Sequence, residues 1–394
     1  MRIVAYAYAC EPDKGSEPGA GWGLVRVLGG FAETHVITRA NNRASIEAAL
    51  PSIPERDRLH FHYLDVAGPI AAYKRGQRGV RLYYLAWQRA ALRVARDLHE
   101  TEPFDLAWHL TLGNAWLGSN LGKLETPFVF GPVGGGVRPP RQLLSALGTR
   151  GITFEMTRRG LQLWGRWGNP NARAAWDKAS LILTQNPETT AWFPRSARPR
   201  CRVFQHALLE ESAVRDEDGG RETGSFVFLG RLIPWKGLAL AIDALARNPG
   251  ARYLVFGDGP DRTRLEALAR HHGVHDRVEF RGSLPRAELG AILENQCAAL
   301  LFPSLHDDSP LAVAEAAAAG LPVICLDVGG PQIVAKDAAV AVNAEGSRDE
   351  VVSRLASAIA DRDRWPKSWD RSANTIPARR GVLVDLLSEN GLGP

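Results

Sequence analysis

The sequence predicts an α/β protein made of two parallel-sheet units in series, and three observations carry that prediction. Short apolar runs, such as residues 225–229, 252–256, 298–302 and 323–326, alternate with segments of helical character. This is the pattern of buried parallel strands covered by helices. The alternation is interrupted at residues 210–223 by an acidic, polar, Gly-rich stretch and then restarts. Residues with chemistry to offer, among them His306, Asp307, Asp308, Ser309, Gly329 and Gly330, follow apolar runs, where open α/β sheets present their ligand-binding groups.

A chain of 394 residues is expected to form two domains of roughly 180–200 residues each. The boundaries read from the sequence are 1–204 and 205–375, with 376–394 a terminal helix packing back on the first domain. Two successive α/β units imply a ligand cleft between them. The apolar share of 45% and the charged share of 23% are those of an ordinary globular protein. A net charge of +5 is compatible with anionic ligands or surfaces. It is too mild, without a recognition motif, to indicate nucleic acid as a partner. The four cysteines, Cys10, Cys201, Cys297 and Cys325, show no metal-ligand spacing and read as packed, reduced thiols. The amino terminus is too short and strand-like for a signal peptide, and no apolar run reaches the length of a membrane span. A cytoplasmic protein is the expectation.

In the first half, residues 2–9 form a strand that delivers the loop CEPDKGSEPGAGWG. Its glycines, Gly15, Gly19, Gly21 and Gly23, permit close backbone approach, and a helix is expected to begin near Gly19. The loop reads equally as an anion site at a helix start or as a tight structural turn. Further strands are expected at 35–38 and 59–63. Residues 73–96 interleave Lys74, Arg75, Arg78, Arg89 and Arg93 with Tyr83, Tyr84 and Trp87. They read as a helix with a charged face over a core stripe, or as an interfacial helix on anionic lipid. His109 closes the strand at 104–109, where it either packs or serves a ligand. A strand at 127–130 leads to GPVGGGVRPP, whose Gly134, Gly135 and Gly136 wrap a ligand or merely connect. Residues 141–168 again mix basic residues with Leu161, Leu163, Trp164 and Trp167. A helix at 172–178, a strand at 180–184, a turn at 185–187 and a strand at 201–204 complete this half.

The second half repeats the rhythm, with strands at 225–229, 252–256, 277–280, 298–302 and 323–326. Helices fall at 238–247, 261–271, 286–294 and 311–319, and a last helix at 379–389. Glu315 stands in the Ala-rich helix that follows the loop at 303–310. It either faces solvent or points back at the loop to accept hydrogen bonds from ligand hydroxyls.

Four stretches, GRLIPWKG (230–237), FGDGP (256–260), FRGSLPRAEL (280–289) and the loop-helix-strand at 301–331, occur in an order and spacing that resembles the retaining, nucleotide-sugar-dependent glycosyltransferases of family 4. The resemblance is specific over about 225–342. It is looser in the first half, where GSEPGAGWG, FDLAWH and GPVGGG look like those of a bacterial polysaccharide-type branch. It implies a GT-B fold of two Rossmann-like domains, a UDP- or GDP-sugar donor bound mainly to the second domain, and no metal or other cofactor. By the same resemblance Arg231 and Lys236 bind the donor diphosphate. Their positions flanking the first turn after a strand suit a metal-free phosphate clamp. Glu315 matches the acid that holds the donor ribose, Asp307 the acid eight residues earlier, and His109 the histidine that contacts the donor sugar. With these five as catalytic candidates, the donor side extends to Gly19, Gly230, Gly257, Gly282, Ser283, Leu284, Ser309, Leu311, Gly329 and Gly330. Gly134, Gly135 and Gly136 form the acceptor side. The sequence departs from the family at Asp307, where Glu is usual, at Asp308, at Gln332 and at His206.

The implied reaction moves a sugar to a glycan, lipid-linked or small-molecule acceptor, with retention by front-face substitution, in bacterial polysaccharide or glycoconjugate synthesis. An anionic membrane surface is a candidate partner, placing the enzyme at the inner face of the membrane. Two other classes share these features: a non-catalytic nucleotide-sugar-binding protein, and another GT-B enzyme such as an epimerase.

Overall fold

The computed structural model describes residues 1–67, 79–215, 224–283 and 286–394. Lys74, Arg75 and Arg78 of the basic segment, residues 216–223 of the acidic stretch, and Leu284 lie outside the described residues. The chain forms two compact units. The first comprises Met1–Gly136, Leu161–Leu208 and Ile376–Pro394, and the second Val137–Gly160 and Leu209–Thr375. A single break at 204/205 therefore does not describe them, because Val137–Gly160 is built into the second unit. Its Gln142 Nε2 donates to Ala344 O at 2.7 Å, and its Phe154 ring stacks on Trp235 with centroids 4.3 Å apart.

In chain order the first unit contains β1 (Arg2–Ala7), α1 (Ser16–Gly29), β2 (Glu33–Thr38), α2 (Arg43–Ala49), β3 (Leu59–Tyr63), α3 (Val80–Thr101), β4 (Leu106–Thr111) and β5 (Phe128–Val133). After α4 (Gly148–Trp167), whose residues up to Gly160 belong to the second unit, come α5 (Pro170–Lys178), β6 (Leu181–Thr184), α6 (Pro187–Trp192) and β7 (Cys201–Val203). The strands pair in parallel in the order β3-β2-β1-β4-β5-β6-β7. Alternation along β1 sends Val4 and Tyr6 to one face of the sheet and Ile3, Ala5 and Ala7 to the other. Both faces are covered, so β1, β4, β5 and β6 are almost wholly buried, whereas β2 and β3, toward one edge, also carry Glu33, His35, His60 and His62.

Tyr83, Tyr84 and Trp87 of α3 are buried on the first face. The aromatic stripe of that helix is therefore core, and the interfacial reading fails for it. Each such side chain contributes about 1.5–3 kcal/mol of apolar burial, which the alternative would forfeit. Helix α1 begins at Ser16, three residues before Gly19. The expected turn at 185–187 is the start of α6: Asn186 caps it by accepting from Thr189 N at 2.8 Å, and Pro187 occupies the first helical position.

The second unit runs β8 (Ser225–Leu229), α7 (Leu238–Ala246), β9 (Arg252–Phe256), α8 (Arg262–His271), β10 (Val278–Gly282), α9 (Arg286–Gln296), β11 (Ala299–Phe302), α10 (Leu311–Ala318), β12 (Val323–Leu326), α11 (Pro331–Ala335), β13 (Ala339–Val342) and α12 (Arg348–Ala360). Its parallel strand order, β10-β9-β8-β11-β12-β13, repeats that of β3-β2-β1-β4-β5-β6. Helix α13 (Ile376–Glu389) returns to the first unit, where Leu383 and Leu387 pack among Trp22, Val25 and Leu28 of α1. Among the described residues no helix is long and apolar enough to cross a membrane. All four cysteines are free and buried.

Candidate functional site

In the second unit the strand order reverses between β8 and β11, so the loops after these two strands diverge from a common edge. That is where a doubly wound sheet opens a crevice. The loop after β8 carries Arg231, which is exposed, and Lys236, which is half-buried. The loop after β11 carries Asp307. Lys236 Nζ lies 3.0 Å from Asp307 Oδ1 and 2.8 Å from Oδ2. Ser304 Oγ lies 2.8 Å from the same carboxylate, and the ammonium sits 4.8 Å from the Phe302 ring centroid. Two residues 71 apart in sequence are thus fixed as one charged pair at the switch point.

Glycines let these loops interlock. Gly237, at φ 75°, closes the turn of Pro234–Lys236 and starts α7; a Cβ there would overlap Pro303 O. Gly330 N donates to Asp307 O at 2.7 Å, and a Cβ at Gly330 would overlap Asp308 O. The Gly329-Gly330 loop is therefore laid directly on the Asp307-Asp308 loop. On the other side of β8, Gly230 N donates to Phe256 O at 3.0 Å and Gly257 N to Gly282 O at 2.7 Å, tying together the ends of β8, β9 and β10. The half-buried Gly230, Gly257 and Gly282 and the exposed Ser283 occupy this rim. Asp307, Asp308 and Ser309 remain half-buried, as do Leu311 and Glu315. The last two are four apart on α10 and share one face. Val313, Ala314 and Ala316 point into the core.

One feature escaped the sequence reading. Trp235 stacks between Phe154 and His306, its centroid 5.2 Å from the imidazole and the planes 19° apart. His306 Nε2 faces Glu155 Oε1 at 2.5 Å, and Arg158 stands 3.3 Å from the Glu155 carboxylate. Burial alone would raise the Glu155 carboxyl, but the bond and charge of His306, together with Arg158, bring it below its ordinary value. The stack buttresses the turn bearing Lys236 and the loop bearing Asp307. Trp235 and His306 neighbour those two in sequence, a signal that was available. Nothing in the chain linked residues 154–155 to them.

In the first unit His109 lies at the carboxyl side of β4 and is wholly buried. Its Nε2 is 3.0 Å from Leu112 O and 3.3 Å from Tyr84 Oη. Burial pulls its pKa down to about 4 against the opposing bond to Leu112 O, so the ring is neutral. The same turn is held from α1, where the Glu17 carboxylate accepts from Gly113 N. Gly19 approaches Lys14 O too closely for any side chain. Gly134, Gly135 and Gly136 are buried in an extension of β5. Gly134 N donates to Gly113 O at 2.9 Å, Gln162 Nε2 to Gly135 O at 2.6 Å, and Gly136 N to Thr189 Oγ1 at 3.2 Å. The structure therefore gives these three glycines a packing reason of their own.

Among the described residues, the one group able to hold a metal ion is Glu33, His35 and His60. It lies toward the amino ends of the first sheet's strands, not at the second sheet's switch point.

Two Rossmann-like units of matching strand order constitute the GT-B architecture. Residues 215–375, in the second unit, match the family described as Glycosyl transferases group 1. The chain is 33% identical over 222 residues to exopolysaccharide phosphotransferase SCO2592 of Streptomyces coelicolor, covering 52% of this chain and 23% of that protein. It is 37% identical over 118 residues to the 2-deoxystreptamine glucosyltransferase of Streptomyces kanamyceticus, covering 29% of this chain and 30% of that protein. The matches thus span less than a third of either relative's length. In fold, the chain is similar to Anabaena Alr3699/HepE, solved in complex with UDP and glucose, at TM-score 0.61 and 15% identity, with 99% of this chain and all of that one covered.

Proposed function

We propose that the protein is a retaining glycosyltransferase of family 4 that moves a sugar from a nucleoside diphosphate to a glycan, lipid-linked or small-molecule acceptor. The observation that carries the reading is that Arg231, Lys236 and Asp307 stand in the loops at the carboxyl ends of β8 and β11, with Glu315 on the following helix α10, all within the matched residues. Arg231 and Lys236 neutralise the diphosphate as the bond from the anomeric carbon to phosphate oxygen breaks. Asp307 aims the Lys236 ammonium. Glu315 accepts from the ribose hydroxyls, and the Gly329-Gly330 loop, its Gly330 amide held by Asp307 O, borders the phosphates. Donor binding at these side chains requires no metal. UDP is the favoured nucleotide, supported by its presence in the Anabaena complex.

Retention proceeds on the front face: the acceptor oxygen bonds to the anomeric carbon as the phosphate oxygen leaves and takes the acceptor proton. A double displacement needs a free carboxylate nucleophile, and Glu17 already serves the Gly113 amide. His109, neutral and enclosed, acts by positioning the turn at 112–113. Exposed Leu163, Trp164 and Trp167 of α4, with Arg159 and Arg166 beside them, dock the protein on anionic membrane at the cytoplasmic face. A role in bacterial polysaccharide or glycoconjugate synthesis follows from such an acceptor surface.

A panel of UDP-, GDP- and ADP-sugars in thermal-shift and donor-hydrolysis assays tests the proposal. One donor should raise the melting temperature by mass action and be hydrolysed slowly without acceptor. Stabilisation by no donor in the panel would overturn it, and binding without any sugar release would leave a sugar-nucleotide-binding protein.

A further inference from the structure

Away from the loops just described, the amino ends of β1, β2 and β3 carry a cluster that glycosyl transfer does not use. Glu33 and His35 alternate onto one face of β2, and His60 and His62 onto the same face of β3. The register sets His35 opposite His60 and Ile37 opposite His62. Ile37 belongs to the core on the α3 side, and Phe104 packs edge-on against His35 at 5.2 Å, so that is the face they share.

Glu33 Oε1 lies 3.3 Å from His35 Nε2 and 3.4 Å from His60 Nε2, and the three ligand atoms fall within 4.8 Å of one another. Two ligands of a tetrahedral zinc ion, each about 2.1 Å from the metal, stand ~3.4 Å apart. The carboxylate-to-imidazole distances already have that value. The imidazole of His35 is also turned for the task. Its Nε2 accepts from Arg2 Nη2 at 3.0 Å, so a lone pair faces a cation, while its Nδ1 is 3.1 Å from His62 Nε2. A ligand histidine whose other nitrogen donates to a fixed acceptor is the arrangement that orients metal-bound imidazoles. The Arg2 guanidinium occupies the metal's position, its Nη2 3.0 Å from His35 Nε2 and its Nε 3.6 Å from Glu33 Oε1, and an incoming ion must displace it. Arg2 already donates to Glu102 O at 2.7 Å and stands 3.1 Å from the Glu102 carboxylate, so it stays paired when it releases His35.

We infer that Glu33, His35 and His60 form a binding site for a divalent ion of the zinc class, with His62 orienting His35 and water completing the coordination. Two imidazoles and one carboxylate form a borderline ligand set that suits zinc better than magnesium or calcium. The ion joins the edge strand β3 to β2 and so stabilises the first unit, independently of donor binding.

The test is calorimetric titration of Zn²⁺ into the chelator-treated full chain. Wild type should take up an equivalent that His60→Ala and Glu33→Gln both lose, and that His62→Phe weakens by roughly 10–100-fold. The His60 and Glu33 side chains are 44% and 43% exposed, so these variants should remain folded, which their melting without metal checks. A His271→Ala/His272→Ala variant removes the exposed pair on the second unit and should keep the equivalent. Co²⁺ should give a tetrahedral visible spectrum that His60→Ala abolishes. Zinc uptake by His60→Ala equal to wild type, or no uptake by wild type, would overturn the inference.

Discussion

Lys236 is held by Asp307, itself bonded to Ser304, which gives the two acidic positions distinct consequences. Replacing Lys236 or Arg231 by Ala should lower turnover by roughly 10²–10³-fold, the scale for losing one transition-state charge stabiliser. Asp307→Ala should weaken both nucleoside diphosphate binding and transfer, because the ammonium loses its orientation. Glu315→Ala should weaken binding of the free nucleotide most. Calorimetry on the variants reads the split, and unchanged nucleotide affinity in Glu315→Ala would contradict the ribose role. His109 makes a pH prediction. Its pKa in the folded state is about 4 against an ordinary 6.5. As pH falls through 6.5 the unfolded chain takes the proton first, so stability is lost between those values. The melting temperature should drop across that window, and His109→Gln should flatten the slope. Arg231, Lys236, Asp307 and Glu315 could be singled out because the family resemblance rests on motif order and spacing, and the fold adds the contact between Lys236 and Asp307. The Glu155–His306 contact was not legible, since it joins two elements far apart in sequence. The enclosure of His109 depends on neighbours such as Tyr84 that only the fold supplies.

At the scale of elements, the strands at 225–229, 252–256 and 323–326 were read with their observed ends because continuous apolar runs bounded by polar turns define them. β13 and α12 are not among the elements expected from the sequence. β13 is only four residues long and largely half-buried or exposed, and the capping box of Ser347 and Glu350 that starts α12 went unused. The pairs Glu33-x-His35 and His60-x-His62 were visible in the sequence, but their convergence required the β2–β3 register. Loop packing at the switch point predicts the effect of Gly330→Ala. Its Cβ would overlap Asp308 O, so the Asp307 loop must shift. Turnover should fall at least tenfold while the melting temperature changes by only a few degrees; wild-type kinetics would show that the loop's position is unimportant. On α4, Trp164→Ser with Trp167→Ser should reduce sedimentation with anionic vesicles at low salt. Equal sedimentation would remove that helix from the membrane proposal.

For the whole molecule, two α/β units were evident from the repeated strand-helix rhythm, but their bounds were not. Val137–Gly160 joins the second unit through side-chain packing that leaves no compositional mark, and α13 returns to α1 through Leu383 and Leu387. The strand order also lay beyond the sequence, and it alone identifies β8 and β11 as the switch point. The central claim is that this switch point binds a nucleoside diphosphate. Hydrogen exchange of the full chain, with and without UDP or GDP, tests it most directly. The account predicts that one nucleotide slows exchange at 230–237, 304–315 and 329–332, and that Lys236→Ala diminishes the effect. Protection confined to the first unit, or absent with both nucleotides, would contradict it.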